Sequence, residues 1–404
     1  MTPMLKEAPS SAPQGRVVSI DIFRGLTMAV MIFVNALSEV KGLPWWTYHA
    51  HAQEDVMTYV DMVFPFFLFI VGMSLPLSIA QRLKRNASQM SLWGHLLVRV
   101  LGLVLLGLIL ANAEFCNAAR TGLRGSVWAL LGLVSAGLYL NVYPKSWRYA
   151  PVLRGVGLAG VVVLLAMFRR VTPDGRSAWL DFSYPEILGL IGLSYLGLVI
   201  LYVPTRRWRW APTAWFVLLT AFCAMCAART ITFPEHVPMY VWPWSNGAMV
   251  CVMMAGVLTT VLFQSDEART NPRRALWAAV VVAVATLAVG KVLAPLGISK
   301  IRATPAWALW SAGAAILVFA LLFWICDVKQ KTGWAFPVRA AGNNTLTTYL
   351  LPDLWDFGTA AVGATFMATH WTDGWPGVIK TLVFTALMLV LARVVTRCGV
   401  RLQF

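Results

Sequence analysis

Charge is scarce in this chain. Of its 404 residues only 12% are Asp, Glu, Lys or Arg, while 59% are hydrophobic. A soluble protein of this size has no way to bury so much apolar surface, so a polytopic membrane protein is expected. Acids are scarcer than bases, 17 against 33, which leaves a formal charge of +16. The bases fall mostly in short segments between apolar runs, as orientation signals do. No pattern of RNA or DNA recognition accompanies them, so nucleic acid is not an expected partner. Cysteine is sparse too. Cys116, Cys223, Cys226, Cys251, Cys326 and Cys398 lie mostly inside apolar runs and imply no disulfide framework. Cys223 and Cys226 have CxxC spacing, but within a span they read as small packing residues rather than a metal or redox site. No internal repeat is visible, and the inverted-repeat signature of many transporters is missing.

What the chain has in abundance is long apolar runs. They stand near 17–37, 60–80, 94–113, 126–143, 151–168, 186–204, 212–229, 245–263, 276–294, 305–325, 342–365 and 377–396. An all-α bundle of about 12 spans (10–12) is expected, because some runs are short or interrupted by proline. Residues 1–16, rich in Pro, Ser and Ala, are expected to form a disordered tail. The first run carries Asp21 and Arg24 and lacks a small-residue cleavage site, so it reads as a retained span, and 17–404 as one transmembrane domain. With the N-terminus cytoplasmic, the inside loops collect clusters such as Arg82, Lys84 and Arg85, or Arg206, Arg207 and Arg209. The excess over outside loops, which hold Lys41, Lys300 and Arg302 among others, is roughly two to one. The C-terminus then returns inside, and the loop bearing His49 and His51 faces out.

That loop opens the most informative stretch, WWTYHAHAQEDVMTYVDMVFPFFLFIVGMS, from Trp45 to Ser74. Trp45 and Trp46 suit a membrane–water interface. Imidazole titrates near neutrality, which makes His49 and His51 candidates for acid–base or nucleophilic work. Neither has metal-ligand spacing and no cysteine joins them, so no metal is expected. Asp61 stands where the chain turns apolar, a costly place for an acid, and Pro65 is expected to kink the helix beside it. Asp21 and Arg24 share a helical face at i, i+3. Either they pair to fix packing, or Arg24 meets an anionic ligand such as a phosphate. Asn35, near the outer end of the same span, reads as an inter-helix hydrogen bond or a cavity-lining amide. Asn344 opens a late run as a helix cap or a site amide, followed by Tyr349, Asp353, Trp355 and Asp356, an outer group suited to carbohydrate.

SIDIFRGLTMAVMIFVN, the His51 segment, VDMVFPFFLFIVGMS and the later GNNTLTTYL together resemble the heparan-α-glucosaminide N-acetyltransferase family, in its bacterial inner-membrane, NagX-like branch. Asp21, Phe23, Arg24, Gly25, Asn35, Asp61, Phe64, Pro65, Phe69 and Gly72 fill the family's places. His51 keeps the family's ten-residue spacing to the aspartate and takes the catalytic position ahead of His49. Gly342, Asn344 and Tyr349 match a late span. The specific match covers roughly the first eighty residues, with a weaker one from Trp307 through Tyr349 that includes Asp327. The chain departs from the family at 186–229, where two spans look inserted, around Ala129 and Leu130, where a Gln-Arg pair is missing, and at Pro352-Asp353, which replaces His-Glu.

The resemblance implies acetyl transfer across an inner membrane, from cytoplasmic acetyl-CoA to the amine of glucosamine or a glucosamine-terminated sugar. In that picture His51 acts as nucleophile or general base with Asp61 or Asp353 orienting it. Arg24 and Arg99 bind the phosphates of the donor, and Asn35 and Asn344 donate to the thioester oxygen. Trp45, Tyr349 and Asp353 line the acceptor site. Acetyl-CoA, the amino sugar, membrane lipids and, as a homodimer, a second copy of the chain are the expected partners. A sugar or metabolite transporter and a polysaccharide O-acetyltransferase are the alternatives.

Overall fold

The computed structural model describes residues 17–85, 88–232, 240–265, 268, 270–364 and 366–403. The expected N-terminal tail, residues 1–16, lies outside the described residues. A helix stands at each of the twelve apolar runs. These are α1 (Val18–Leu37), α2 (Val63–Lys84), α3 (Gln89–Asn112), α4 (Gly125–Leu140), α5 (Ala150–Met167) and α6 (Glu186–Thr205). They continue with α7 (Ala211–Ala227), α8 (Ala248–Gln264), α9 (Pro272–Val292) and α10 (Pro305–Phe323). A short α11 (Phe336–Asn343) then leads into α12 (Thr345–Ala361) and α13 (Gly374–Arg397). Among the described residues, eight helices are long and apolar enough to cross a membrane, which makes this an integral polytopic membrane protein. The expected count of about twelve is not reached on that measure, because α4, α7 and α8 are apolar but have only 10–17 residues and α12 has 17. The one sheet among the described residues is a two-residue hairpin, Arg170–Val171 against Ser177–Ala178.

The helices begin where the chain supplies partners for the free amides of a first turn. Ser88 accepts from the Ser91 amide to start α3, and Asn271 accepts from Arg274 ahead of Pro272 to start α9. The α1 start is capped from far away. Asp327, in a five-residue π-helical turn after α10, accepts from the amides of Val18 (3.0 Å) and Ser19 (3.1 Å). The kink expected at Pro65 is not there. A 3₁₀ turn, Val60–Met62, precedes α2, so Pro65 falls in the first turn, where its missing N–H is no loss.

The end of the bundle at which α1 begins is termed the inner face, and the end at which α2 begins the outer face. Two close crossings hold the centre. Helix α2 packs on α8, where a Cβ at Gly72 would run into the Met253 carbonyl oxygen. Helix α1 packs on α11, where a Cβ at Gly342 would run into the Asp21 carbonyl oxygen. Small residues that let backbones meet replace the hydrophobic driving force that lipid removes. Gly72→Ala is expected to cost about 2 kcal/mol of stability by overpacking. Gly94→Ala, where no atom lies within 4 Å of the added carbon, is expected to be near neutral. Thermal unfolding of the detergent-purified variants checks both.

Candidate functional site

The outer face of the site is built on Asp61, which is 1% exposed at the start of α2. Its Oδ2 accepts from the amides of Thr58 (3.1 Å) and Ala50 (3.2 Å) and from the Thr58 hydroxyl (3.3 Å). Its Oδ1 lies 2.7 Å from His49 Nδ1, and Trp307 donates to its backbone carbonyl. A carboxylate only accepts, so the Nδ1 proton of His49 points to Asp61 and Nε2 is the basic nitrogen. Lys300, between α9 and α10, completes the group. Its Nζ is 3.8 Å from Asp61 Oδ1, 3.0 Å from His49 Nδ1 and 3.3 Å from His49 Nε2. Burial pushes the Lys300 ammonium below its usual range, against the opposing pull of Asp61. Beside it Arg302 donates to Asp55, whose carboxyl it holds below the ordinary value, together with the Ile298 amide. The loop before α2 is thereby tied to the loop before α10.

The sequence places His51 at the centre of this group, and the structure does not. His51 is exposed. Its carbonyl accepts from the Glu54 amide and its amide donates to the Glu54 carboxylate, so the residue is used to close a surface turn. Among the described residues its ring has no hydrogen-bond partner. The aspartate expected to orient His51 orients His49 instead. Trp45 is 66% exposed at the outer face and lines neither of two polar cavities found among the described residues.

The first cavity, about 350 Å³, opens toward the inner face and is basic. Arg24, Ser74, Arg82, His95, Arg99 and Tyr349 are on its wall. Arg24 is held by Ser74 Oγ (2.8 Å), the Gly342 carbonyl (3.1 Å) and Asp21 (3.2 Å). The two readings of that i, i+3 pair therefore coexist: the ion pair forms and the guanidinium still faces a cavity. Arg82 donates to His95 Nε2, and Arg99 lies 4.8 Å above the Tyr195 ring. Leu402 and Gln403 close the cavity, tied in by the Leu402 amide to the Thr347 hydroxyl at 3.2 Å. Asn344 lines it but is spent. Its amide nitrogen donates to Thr396 Oγ1 (2.9 Å) and the Val400 carbonyl (2.8 Å), and its oxygen accepts from Thr347 (2.6 Å). The expected donor to a thioester oxygen is thus a clasp between the start of α12 and the chain after α13.

The second cavity, about 480 Å³, lies toward the outer face and is acidic. Glu39, Glu186, Asp353 and Asp356 line it with Asn35, Trp355 and a single lysine, Lys380. Asn35 therefore sits with the carboxylates, apart from Arg24 and Arg99, with which the sequence grouped it. Tyr349 lines both cavities, and its hydroxyl donates to Glu186 Oε1 at 3.3 Å. Glu186 opens α6 with φ of 59°, a backbone state that costs a non-glycine residue energy. Its Oε2 accepts from the Leu188 amide.

Sequence reasoning did not single out Glu186, Lys300, Arg82 or His95. The signal for Glu186 was present: an acid at the mouth of an apolar run, as at Asp61. His95 and Arg99 stand at i, i+4 in the third run, a spacing that puts both on one face. Lys300 carried no local signal, because its partners are about 250 residues away in sequence.

Asp61→Ala is expected to destabilise the protein by about 3 kcal/mol, as removal of one partner from a buried charged group does. Faster hydrogen exchange at the Ala50 and Thr58 amides, with unchanged exchange in α5, is the expected local readout.

An all-α integral membrane protein with two polar cavities of opposite charge is the class that fold and site define. Residues 16–248, more than half of the chain, match the family model described as Domain of unknown function (DUF5009), and the chain belongs to that family. It is also similar to heparan-alpha-glucosaminide N-acetyltransferase of Homo sapiens, 38% identical over 106 residues, which is 26% of this chain and 15% of that protein. The same enzyme of Mus musculus is 37% identical over 101 residues, 25% of this chain and 15% of the relative. The similarity thus spans about 15% of the length of these curated relatives.

Proposed function

We propose that this protein transfers an acetyl group from acetyl-CoA, held in the inner basic cavity, to the amine of glucosamine or a glucosamine-terminated sugar in the outer acidic cavity. The observation that carries this reading is the pair of oppositely charged cavities sharing Tyr349. Phosphates of the donor suit Arg24, Arg82 and Arg99. A sugar ammonium suits Glu186, Asp353 and Asp356, and the Trp355 ring offers an apolar face to the sugar. The similarity to two enzymes named for N-acetyl transfer supports the reaction class.

The acceptor arrives as an ammonium and must lose a proton before its nitrogen attacks the thioester carbon. The N–C bond then forms, the C–S bond breaks and CoA leaves as a thiol. In this proposal a histidine of the 49–51 turn, at the outer mouth of the bundle rather than on the wall of either cavity, takes that proton. His49 has its tautomer fixed by Asp61, with the Lys300 ammonium 3.3 Å from its basic nitrogen, and His51 has the family's spacing. The N-terminus is assigned to the cytoplasm of a bacterial inner membrane, where acetyl-CoA is made, in line with the basic inner loops.

Purified protein given labelled acetyl-CoA and glucosamine is expected to form N-acetylglucosamine, an amide stable to mild base. No product, together with no thermal stabilisation by CoA, would return the chain to the transporter class. His49→Ala is expected to lower kcat by about 100-fold or more, the usual contribution of a positioned base. A larger loss in His51→Ala would reassign the base. Arg99→Ala is expected to raise KM for acetyl-CoA, and Asp353→Asn KM for glucosamine, each about tenfold, as loss of one charge-assisted contact does.

A further inference from the structure

A third cavity is larger than either of those two. A half-open cleft of about 1320 Å³ runs along α2, α7, α8 and α9, on walls that include Pro76, Phe216, Leu258 and Val282. It reaches from Arg209 and Trp210 at the inner face to Leu293 near the outer end of α9. Two of the three threonines on its wall have their hydroxyls occupied. Thr220 donates to the Phe216 carbonyl at 2.8 Å and Thr286 to the Val282 carbonyl at 2.7 Å, each within its own helix. An apolar space of this kind gives water too few partners to hold it. Two of its walls, α2 and α9, are long and apolar enough to cross a bilayer, which gives acyl chains access to it.

The inner mouth has a different character. Arg206, Arg207 and Arg209 sit between α6 and α7, flanked by Trp208 and Trp210, which are 70% and 72% exposed. Arg206 is used internally, on the Val203 carbonyl and Gln89. Arg207 and Arg209 form no hydrogen bond or ion pair with any described residue. Arg209 only overlies the Trp210 ring at 5.7 Å. Indoles at the interface beside unpaired guanidinium groups make a headgroup site for a negatively charged lipid. Gln264 lines the same mouth and adds a group that hydrogen-bonds glycerol or phosphate oxygens.

We infer that the cleft between α7 and α9 binds an anionic phospholipid, with an acyl chain along α2 and α8 and the phosphate on Arg209 and Arg207. The site lies across α2 from the basic cavity: Pro76 and Ala80 face the lipid while Ser74 holds Arg24. The lipid is thus a wall for the helix that begins at Asp61. This assignment stands whether or not the chain transfers acetyl groups.

The test is native mass spectrometry of the full chain in detergent, titrated separately with phosphatidylglycerol and phosphatidylcholine. One phosphatidylglycerol per chain is expected to survive release, in preference to phosphatidylcholine. An Arg207→Ala, Arg209→Ala double variant is expected to bind phosphatidylglycerol about thirtyfold more weakly and phosphatidylcholine unchanged, since each basic residue near the headgroups contributes a factor of about five. Ala285→Trp, on the cleft wall, is expected to displace the retained lipid. If this bulky variant fails to fold, the surface double variant still decides the matter. Equal retention of the two lipids, or retention unaffected by the arginine changes, overturns the proposal. A lipid-free dimer that Ala285→Trp splits into monomers also overturns it and gives the cleft to a second copy of the chain.

Discussion

The Arg24 guanidinium is the contact on which the centre of the bundle depends. In hydrocarbon a cation survives only where protein replaces water around it. Here Ser74 on α2, the Gly342 carbonyl on α11 and Asp21 on α1 do so together. Two of these helices, α1 and α11, meet through Gly25 and Gly342, so that the Gly342 carbonyl comes close enough for one of these bonds to form. Removing either the charge or the close approach would strand the other. The scarcity of acids in the sequence thus has a structural counterpart: among the described residues Asp21, Asp61, Glu186 and Asp327 are each placed where a specific cation, amide or hydroxyl receives them.

The two polar cavities divide that charge by sign. Three arginines face the inner one, and four carboxylates against one lysine face the outer. Such a division favours an anion on one side and a cation on the other without any change in the helices. Tyr349 stands between them, hydrogen-bonded to a glutamate whose own backbone is strained. In the proposed reaction this boundary is where a thioester arm and a sugar amine approach each other. The His49–Asp61–Lys300 group stands apart at the head of α2 and lines neither cavity. The proposed chemistry therefore joins two constructions that the helices α1, α2 and α12 hold in one frame.

Much of the fold was legible because apolar length is a local signal. Each of the twelve runs became a helix, and Arg24, Asp61 and Tyr349 stand out in sequence because an ionisable or phenolic group in an apolar run needs a reason. What was not legible depended on distance along the chain. Asp327 caps α1 from about 310 residues away, and Lys300 reaches His49 across about 250. The choice between His49 and His51 turned on which residue the loop amides bring beneath Asp61. Spacing to the aspartate favoured one, and the hydrogen bonds of Ala50 and Thr58 favoured the other. Pro65 misled for a similar reason. A proline three residues inside a helix start and one in mid-helix read alike until the preceding 3₁₀ turn is known.

The clasp at Asn344 constrains biosynthesis. The basic cavity takes its wall from Arg24 on α1 and from Leu402 and Gln403 beyond α13, positions at opposite extremes of the described chain. While the nascent polypeptide leaves the ribosome helix by helix, the arginines of the early spans have no finished chamber to face. The compartment exists only after α13 has been inserted and the segment behind it has folded back onto Thr347. A product released early by the ribosome would keep most of its helices and lack that chamber.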